Sequence, residues 1–138
     1  MKRKTIVTCL ALAAMITCLL CKNAILRFHV AHNHEKLEQY ALQMLENGDT
    51  NSGRYGLWKT RCYPDIGMVE FHAGGFGLAP GTTYQGFYYS SDDAHRPFSG
   101  AEAPMEIDGN HATWTDGTDN YGTSVRLTPN WFWFRASF

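Results

Sequence analysis

The chain changes character at residue 48. Residues 5–47 contain no glycine and no proline, whereas all 13 glycines and all five prolines lie at or after Gly48. Apart from Phe28 and Tyr40, the aromatic residues lie beyond that point too. Glycine and proline interrupt helices, and aromatic residues favour strands. The sequence therefore predicts an α+β fold in which one long N-terminal helix precedes an antiparallel β-sheet.

The N-terminal part of this helix has the composition of a membrane span. Residues 5–21 carry no charge and follow the basic tripeptide Lys2, Arg3 and Lys4. A helix of that length covers roughly 26 Å, close to the roughly 30 Å of a bilayer's hydrocarbon core, and Lys22 can extend its ammonium group toward the headgroups. The excess of cations before the span predicts a cytoplasmic N-terminus and an exported C-terminal domain. We therefore expect a single-pass signal anchor in the cell membrane, with the lipid bilayer as its partner.

A cleaved signal peptide is the alternative interpretation of the same segment. Such a peptide needs small residues at the third and first positions before the cut. The exit of this segment, Lys22-Asn23-Ala24, places a lysine where a small residue is needed. The uncleaved anchor is therefore favoured, although a protein secreted after signal cleavage would export the same domain.

An amphipathic helix is predicted beyond the anchor. Its apolar residues recur at helical spacing along one face: Leu37, Tyr40, Ala41, Met44 and Leu45. Gly48 can adopt the left-handed conformation that ends a helix. The chain thus divides into a basic tail (1–4), the anchor (5–21), a helical stalk (22–47) and an aromatic-rich β domain (48–138).

Short apolar segments separated by turn residues follow Gly48, as expected for antiparallel strands. The sheet is predicted to be small, with roughly 5–7 strands. Its candidate strands are residues 56–62, 68–73, 84–89, 105–107, 112–115, 123–128 and 131–138. The last of these is apolar on both sides over its first half. One face is expected to meet the helix, and the other a second layer, a ligand or another chain.

The charge balance argues against a nucleic-acid partner and against tight binding to anionic lipid headgroups. Three of the 12 Lys and Arg residues precede the anchor, so the exported part, which holds the 13 Asp and Glu residues, is net acidic. No basic run of the kind that neutralises phosphates is visible in the sequence.

Candidate catalytic residues are confined to one segment. Asp92, Asp93 and His95 place two carboxylates and an imidazole directly after a strand, where loops can hold a general acid or base. The same letters also form an ordinary turn closed by Pro97. No serine lies in a G-x-S-x-G elbow. A non-enzymatic protein is therefore favoured, with a small exported hydrolase using these three residues as an alternative.

Candidate metal ligands lie in the stalk. His29 and His32 are three residues apart and share a helical face, as zinc or copper ligands could. A zinc hydrolase helix would instead show two histidines four apart around a glutamate. Solvated stalk histidines explain this pattern as well, so neither a metal site nor a cofactor is predicted.

The surplus of aromatic residues suggests a binding surface. Such rings can stack on a sugar or a peptide, which would suit a protein facing a cell wall or a protein partner. Small β domains also bury aromatic residues to enlarge their core. The candidate ligand-binding residues are Tyr84, Tyr88, Trp114, Trp131 and Trp133.

One architectural resemblance follows from this organisation. A membrane helix that continues into an amphipathic half and precedes an antiparallel sheet is similar in outline to type IV pilins and pseudopilins. No glycine precedes the apolar run, no phenylalanine begins it and no glutamate is its fifth residue, so the resemblance is limited to architecture. It implies a third function, that of an assembly subunit.

Overall fold

The computed structural model describes residues 2–48, 50, 52–76 and 81–138, with side chains described from residue 24 onward except that of Phe76. Helix α1 (Lys2–Asn47) is unbroken, as the absence of glycine and proline predicts. The strands that follow are β1 (Gly53–Tyr55), β2 (Trp58–Tyr63), β3 (Met68–Phe76), β4 (Thr83–Ser90), β5 (Met105–Asp108), β6 (His111–Thr115), β7 (Tyr121–Thr128) and β8 (Trp131–Ser137).

All eight strands form one antiparallel sheet in the order β1-β2-β3-β4-β8-β7-β6-β5. The α+β prediction is confirmed, and the seven predicted strands are all present with small shifts of their ends. The predicted range of 5–7 strands is too low, because β1 precedes the first predicted strand, residues 56–62. Its three residues are too few to show the alternation that identifies a strand.

The helix covers one face of the sheet. Leu37, Ala41 and Met44 are buried as predicted, with Tyr40 and Leu45 partly buried beside them. The buried stripe begins earlier than predicted, at Leu26 and Val30. The sheet presents an apolar face to it: Val69, Phe71, Phe87, Tyr89, Val125, Trp131 and Trp133. Residues 26–47 are therefore part of the core of the β domain.

The opposite face is covered by the chain itself. Residues 91–104 connect β4 to β5 and lie across this face, where Phe98 packs on Phe134 and Tyr84 at ring-centroid distances of 5.4 and 5.3 Å. Beneath them lies a second buried cluster that includes Met68, Tyr88, Phe132 and Phe134. The sequence predicted a second layer, a ligand or another chain on this face. The structure contains a second layer.

The two ends of the sheet differ in their relation to the helix. The His29 ring contacts the Trp58 ring at 4.7 Å, next to the β1–β2 turn, whereas the Tyr40 hydroxyl reaches Thr60 further along the strand at 3.0 Å. The end with the β1–β2 and β6–β7 turns thus lies toward the N-terminal part of α1. We call it the proximal end.

The predicted anchor, residues 5–21, lies outside the residues whose side chains the structure describes. Among the residues that are described in full, no helix combines the length and the apolar character needed to cross a membrane.

Candidate functional site

A buried carboxylate lies near the centre of the face that residues 91–104 cover. Glu70 of β3 is 1% exposed. Its Oε1 accepts the backbone N–H of Ser99 at 2.6 Å, and its Oε2 accepts the Tyr63 hydroxyl at 3.3 Å. His72 Nε2 lies 3.1 Å from the same Oε2. We call Glu70, His72, Tyr63 and the Ser99 N–H the Glu70 cluster.

Local geometry explains how this cluster forms. Glu70 and His72 are two residues apart on one strand, so both side chains point to the same face of the sheet. Ser99 has a left-handed backbone conformation (φ 57°) within the 3₁₀ turn Phe98–Gly100, which turns its N–H toward the sheet. Burial raises the pKa of Tyr63, and the charge of Glu70 raises it further, so the phenol remains a hydrogen-bond donor. The cluster therefore fixes residues 91–104 to the sheet.

An open depression of about 420 Å³ lies beside His72, on the same face. It extends toward the β1–β2 turn and is lined by, among others, Arg54, Leu57, Lys59, Arg61, His72 and Tyr84. Lys59 lies opposite His72, Arg61 opposite Glu70, and Arg54 opposite Lys59. Cross-strand partners have Cβ atoms roughly 5 Å apart, so the three cations are neighbours. We call this feature the basic depression.

The cations of the basic depression are available to a ligand. Arg54, Lys59 and Arg61 are exposed, and no ion pair engages them within the described part of the chain. Guanidinium and ammonium groups recognise phosphate and carboxylate. An imidazole held by Glu70 adds a further polar group, and the partly exposed Tyr84 ring an apolar wall.

Sequence reasoning missed both the Glu70 cluster and the basic depression. A signal for the first was present, since Glu70 and His72 interrupt an otherwise apolar strand at period two. The cations escaped notice because they are divided between two strands and only the fold makes them neighbours.

The candidate catalytic residues are held by other groups. Asp92 accepts the Ser90 hydroxyl at 2.8 Å and pairs with Arg96. Asp93 pairs with Arg126 and accepts the backbone N–H of Asn130 at 2.7 Å. Within the described residues, no hydrogen bond joins either carboxylate to His95. Asp93 thus fixes the turn after β4 to the β7–β8 hairpin, whereas the partners of Asp92 lie within residues 90–96.

His95 belongs to a different network. Its Nδ1 lies 2.6 Å from the Ser124 hydroxyl, and the backbone N–H of Arg96 donates to the Tyr88 hydroxyl at 2.9 Å. Burial lowers the pKa of His95, the charges of Arg126 and His111 lower it further, and Asp93 opposes them. Burial raises the pKa of Tyr88 to about 12. Ser124 is 1% exposed, so this Ser–His pair has no access to a substrate.

The five candidate stacking residues are divided between the two faces. Trp131 and Trp133 face the helix and are 1% and 7% exposed. Tyr88 and Trp114 are also buried, at 1% and 5%. Tyr84 is partly exposed and lines the basic depression. The five rings therefore do not form one platform.

The candidate metal ligands point in different directions. His29 packs its ring on Trp58, whereas the Nδ1 of His32 lies 3.0 Å from the Phe28 carbonyl oxygen. Among the described residues, no group of three or more His, Cys, Asp or Glu side chains is arranged to hold a metal ion.

Comparison with known proteins gives no further guidance on these sites. The chain matches no family model, no curated protein and no solved structure.

Proposed function

We propose that this protein is a single-pass membrane protein whose small exported domain binds a ligand and is not an enzyme. Its N-terminus is cytoplasmic, residues 5–21 span the bilayer, and the β domain lies outside. Ligand binding takes place at the basic depression.

The observation that carries this proposal is the continuity of α1. The uncharged segment 5–21 and the stripe from Leu26 to Met44 belong to one helix, Lys2–Asn47. Because this stripe is buried against the sheet, the domain has no flexible linker to the predicted anchor. The domain is thus held at a set height and orientation above the membrane.

The partners and the burial of the polar groups favour a binding role over catalysis. Asp92 and Asp93 are paired with arginines, Ser124 is buried, and Glu70 holds the backbone of Ser99. The basic depression instead offers exposed cations that form no ion pair among the described residues, around an open volume, which suits recognition of an anion.

Fractionation and topology mapping test the anchor. The full chain with a C-terminal tag is expected to remain in the membrane pellet after alkaline extraction, and external protease is expected to remove the tag from intact cells. Intact mass should include residues 1–24. A soluble protein lacking those residues would contradict the anchor and favour the cleaved signal.

Charges placed in the proposed span give a second test of the anchor, and the same charges placed outside it are the matched control. Leu12→Arg with Met15→Arg introduces two cations that cost about 2.5–3.5 kcal/mol each at the centre of a bilayer, so this variant should fail to insert. The same pair at exposed helix positions outside the span, Leu42→Arg with Gln39→Arg, should leave insertion unchanged.

Ligand binding is tested separately by the loss of the depression's cations. Lys59→Ala with Arg61→Ala should weaken the binding of anions while thermal stability is retained, because both side chains are exposed. Equal anion binding by the double variant would contradict the assignment of the site.

A further inference from the structure

We propose that the proximal end of the domain docks on the outer leaflet of the anchoring membrane, and that the basic depression takes the phosphate headgroups of anionic phospholipids. This inference rests on the proposed function, because the anchor holds the domain beside the leaflet. It assigns the ligand of the depression by chemical class.

The β1–β2 turn has the composition of a membrane-contacting loop. Leu57 at its tip is 94% exposed, the highest value among the exposed large hydrophobic residues of the described chain. Arg54 and Lys59 flank it as cross-strand partners. An apolar side chain between two cations can enter the interfacial region while the cations remain at headgroup level.

The helix sets the height of the β1–β2 turn above the predicted membrane span. The His29 ring touches Trp58, the residue after Leu57, and His29 lies eight positions beyond Cys21. At about 1.5 Å per residue, that contact lies roughly 12 Å above the predicted end of the apolar segment. The headgroup layer on each side of a bilayer is about 5–7 Å thick. The turn points from this level toward the bilayer, and a typical tilt of about 20° lowers it further.

Other exposed hydrophobic residues lie at the same end. Of the six large hydrophobic residues exposed in the described part of the chain, Ile25, Phe28, Leu57 and Tyr121 are at or near the proximal end. Tyr121 is the first residue of β7, next to the β6–β7 turn. Soluble surfaces rarely concentrate such residues, whereas a surface that meets lipid does.

Charge complementarity indicates the side that makes contact and the class of lipid. The exported part is net acidic, yet Arg54, Lys59 and Arg61 lie on the β1–β2 side of the proximal end. The β6–β7 turn at the same end carries Asp116 and Asp119 instead. Anionic headgroups would therefore attract the β1–β2 side and repel the other, which tilts the domain toward the basic depression.

Amide exchange of the full chain in lipid nanodiscs tests this proposal. Discs of phosphatidylcholine alone are compared with discs that also contain phosphatidylglycerol. Each basic side chain near an anionic leaflet contributes about fivefold to a docking equilibrium, so peptides covering residues 53–59 should exchange about tenfold or more slowly in the anionic discs. Arg54→Glu with Lys59→Glu should abolish that difference, and Leu57→Asp should reduce it.

A distal substitution is the matched control. Ile107 is 63% exposed and lies next to the β5–β6 turn, at the end of the sheet away from the anchor. Ile107→Asp should leave the slow exchange of residues 53–59 unchanged. All four substituted positions are exposed, so equal melting temperatures are expected and should be verified.

Each other outcome has a distinct meaning. Equal exchange in both kinds of disc, with the protein incorporated, would overturn the docking and leave the anchor intact. A protein that elutes without the disc would overturn the proposed anchor itself. Slow exchange induced by inorganic phosphate in phosphatidylcholine discs, to the same extent as by phosphatidylglycerol, would overturn the assignment to lipid in favour of a soluble phosphate.

Discussion

Glu70 shows how one polar residue can determine the position of a long connection. Its carboxylate is buried and accepts hydrogen bonds from the Ser99 backbone and the Tyr63 hydroxyl. A carboxylate accepts such bonds more strongly than a neutral amide does, and a buried donor left without its acceptor is costly. Residues 91–104 are thus held on the sheet by polar contacts as well as by Phe98.

We expect Glu70→Gln to destabilise the protein by about 2 kcal/mol, because the charge-assisted bonds to Ser99 and Tyr63 are weakened. Denaturant unfolding of the full chain in detergent measures this change. Protease cleavage within residues 91–104 should also become faster. Glu106→Gln, at an exposed position of β5, is the control and should change stability by less than about 0.5 kcal/mol.

His95 makes stability depend on pH. Its pKa is lowered in the folded state, chiefly by burial, so the unfolded chain takes up a proton first as the pH falls. Its contribution to stability is therefore complete above the ordinary histidine pKa of about 6.5 and is lost as the pH falls toward the folded-state pKa. Thermal unfolding between about pH 7.5 and pH 5.5 should show this loss.

His95→Gln should flatten the pH dependence, whereas His32→Gln, at an exposed helix position, should leave it unchanged. Equal pH slopes for the wild-type chain and His95→Gln would contradict the role assigned to His95.

At the scale of single residues, sequence reasoning recognised which segments form turns but missed which polar groups meet. Asp92 and Asp93 lie in the ordinary turn that was weighed against a catalytic site. Arg96, the partner of Asp92, is near it in sequence, whereas Arg126, the partner of Asp93, lies on another strand. Because the Asp93–Arg126 and Glu70–Ser99 contacts join distant segments, no local pattern could have revealed them.

Helix α1 is the element on which the core depends most. Val30 and Leu37 are fully buried against the apolar face of the sheet. Leu37→Ala should cost about 3 kcal/mol, since it removes buried methyl groups and leaves a cavity. Leu42→Ala, on the same helix but 40% exposed, should cost less than about 1 kcal/mol. Denaturant midpoints of the two variants test this difference.

The sequence was most informative about the secondary-structure elements. Helical spacing identified the stripe from Leu37 to Met44, and alternation with turn residues identified seven strands. Strand β1 was missed because three residues show no period. The cover of the second face stayed open because residues 91–104 contain no regular alternation, and only the tertiary contacts of Phe98 and Ser99 place them there.

The whole molecule has one core shared between the helix and the sheet. The change of composition at residue 48 separates the helix from the sheet in the sequence. In the structure, however, Leu26 and Val30 of the helix pack against the sheet. The smallest fragment that folds on its own should therefore begin before Leu26. In the proposed topology, the helix within the core also transmits the orientation of the anchor to the basic depression.

Two fragments test this shared core. A fragment of residues 23–138 retains the entire buried stripe and should unfold cooperatively, with the near-ultraviolet signal of packed tryptophans. A fragment of residues 48–138 exposes the apolar face that includes Phe71, Phe87 and Trp131, and a contiguous patch of that kind favours aggregation. It should aggregate or lack cooperative unfolding. Cooperative folding of residues 48–138 would show that the β domain does not need the helix. The domain's height and orientation would then no longer follow from the proposed anchor.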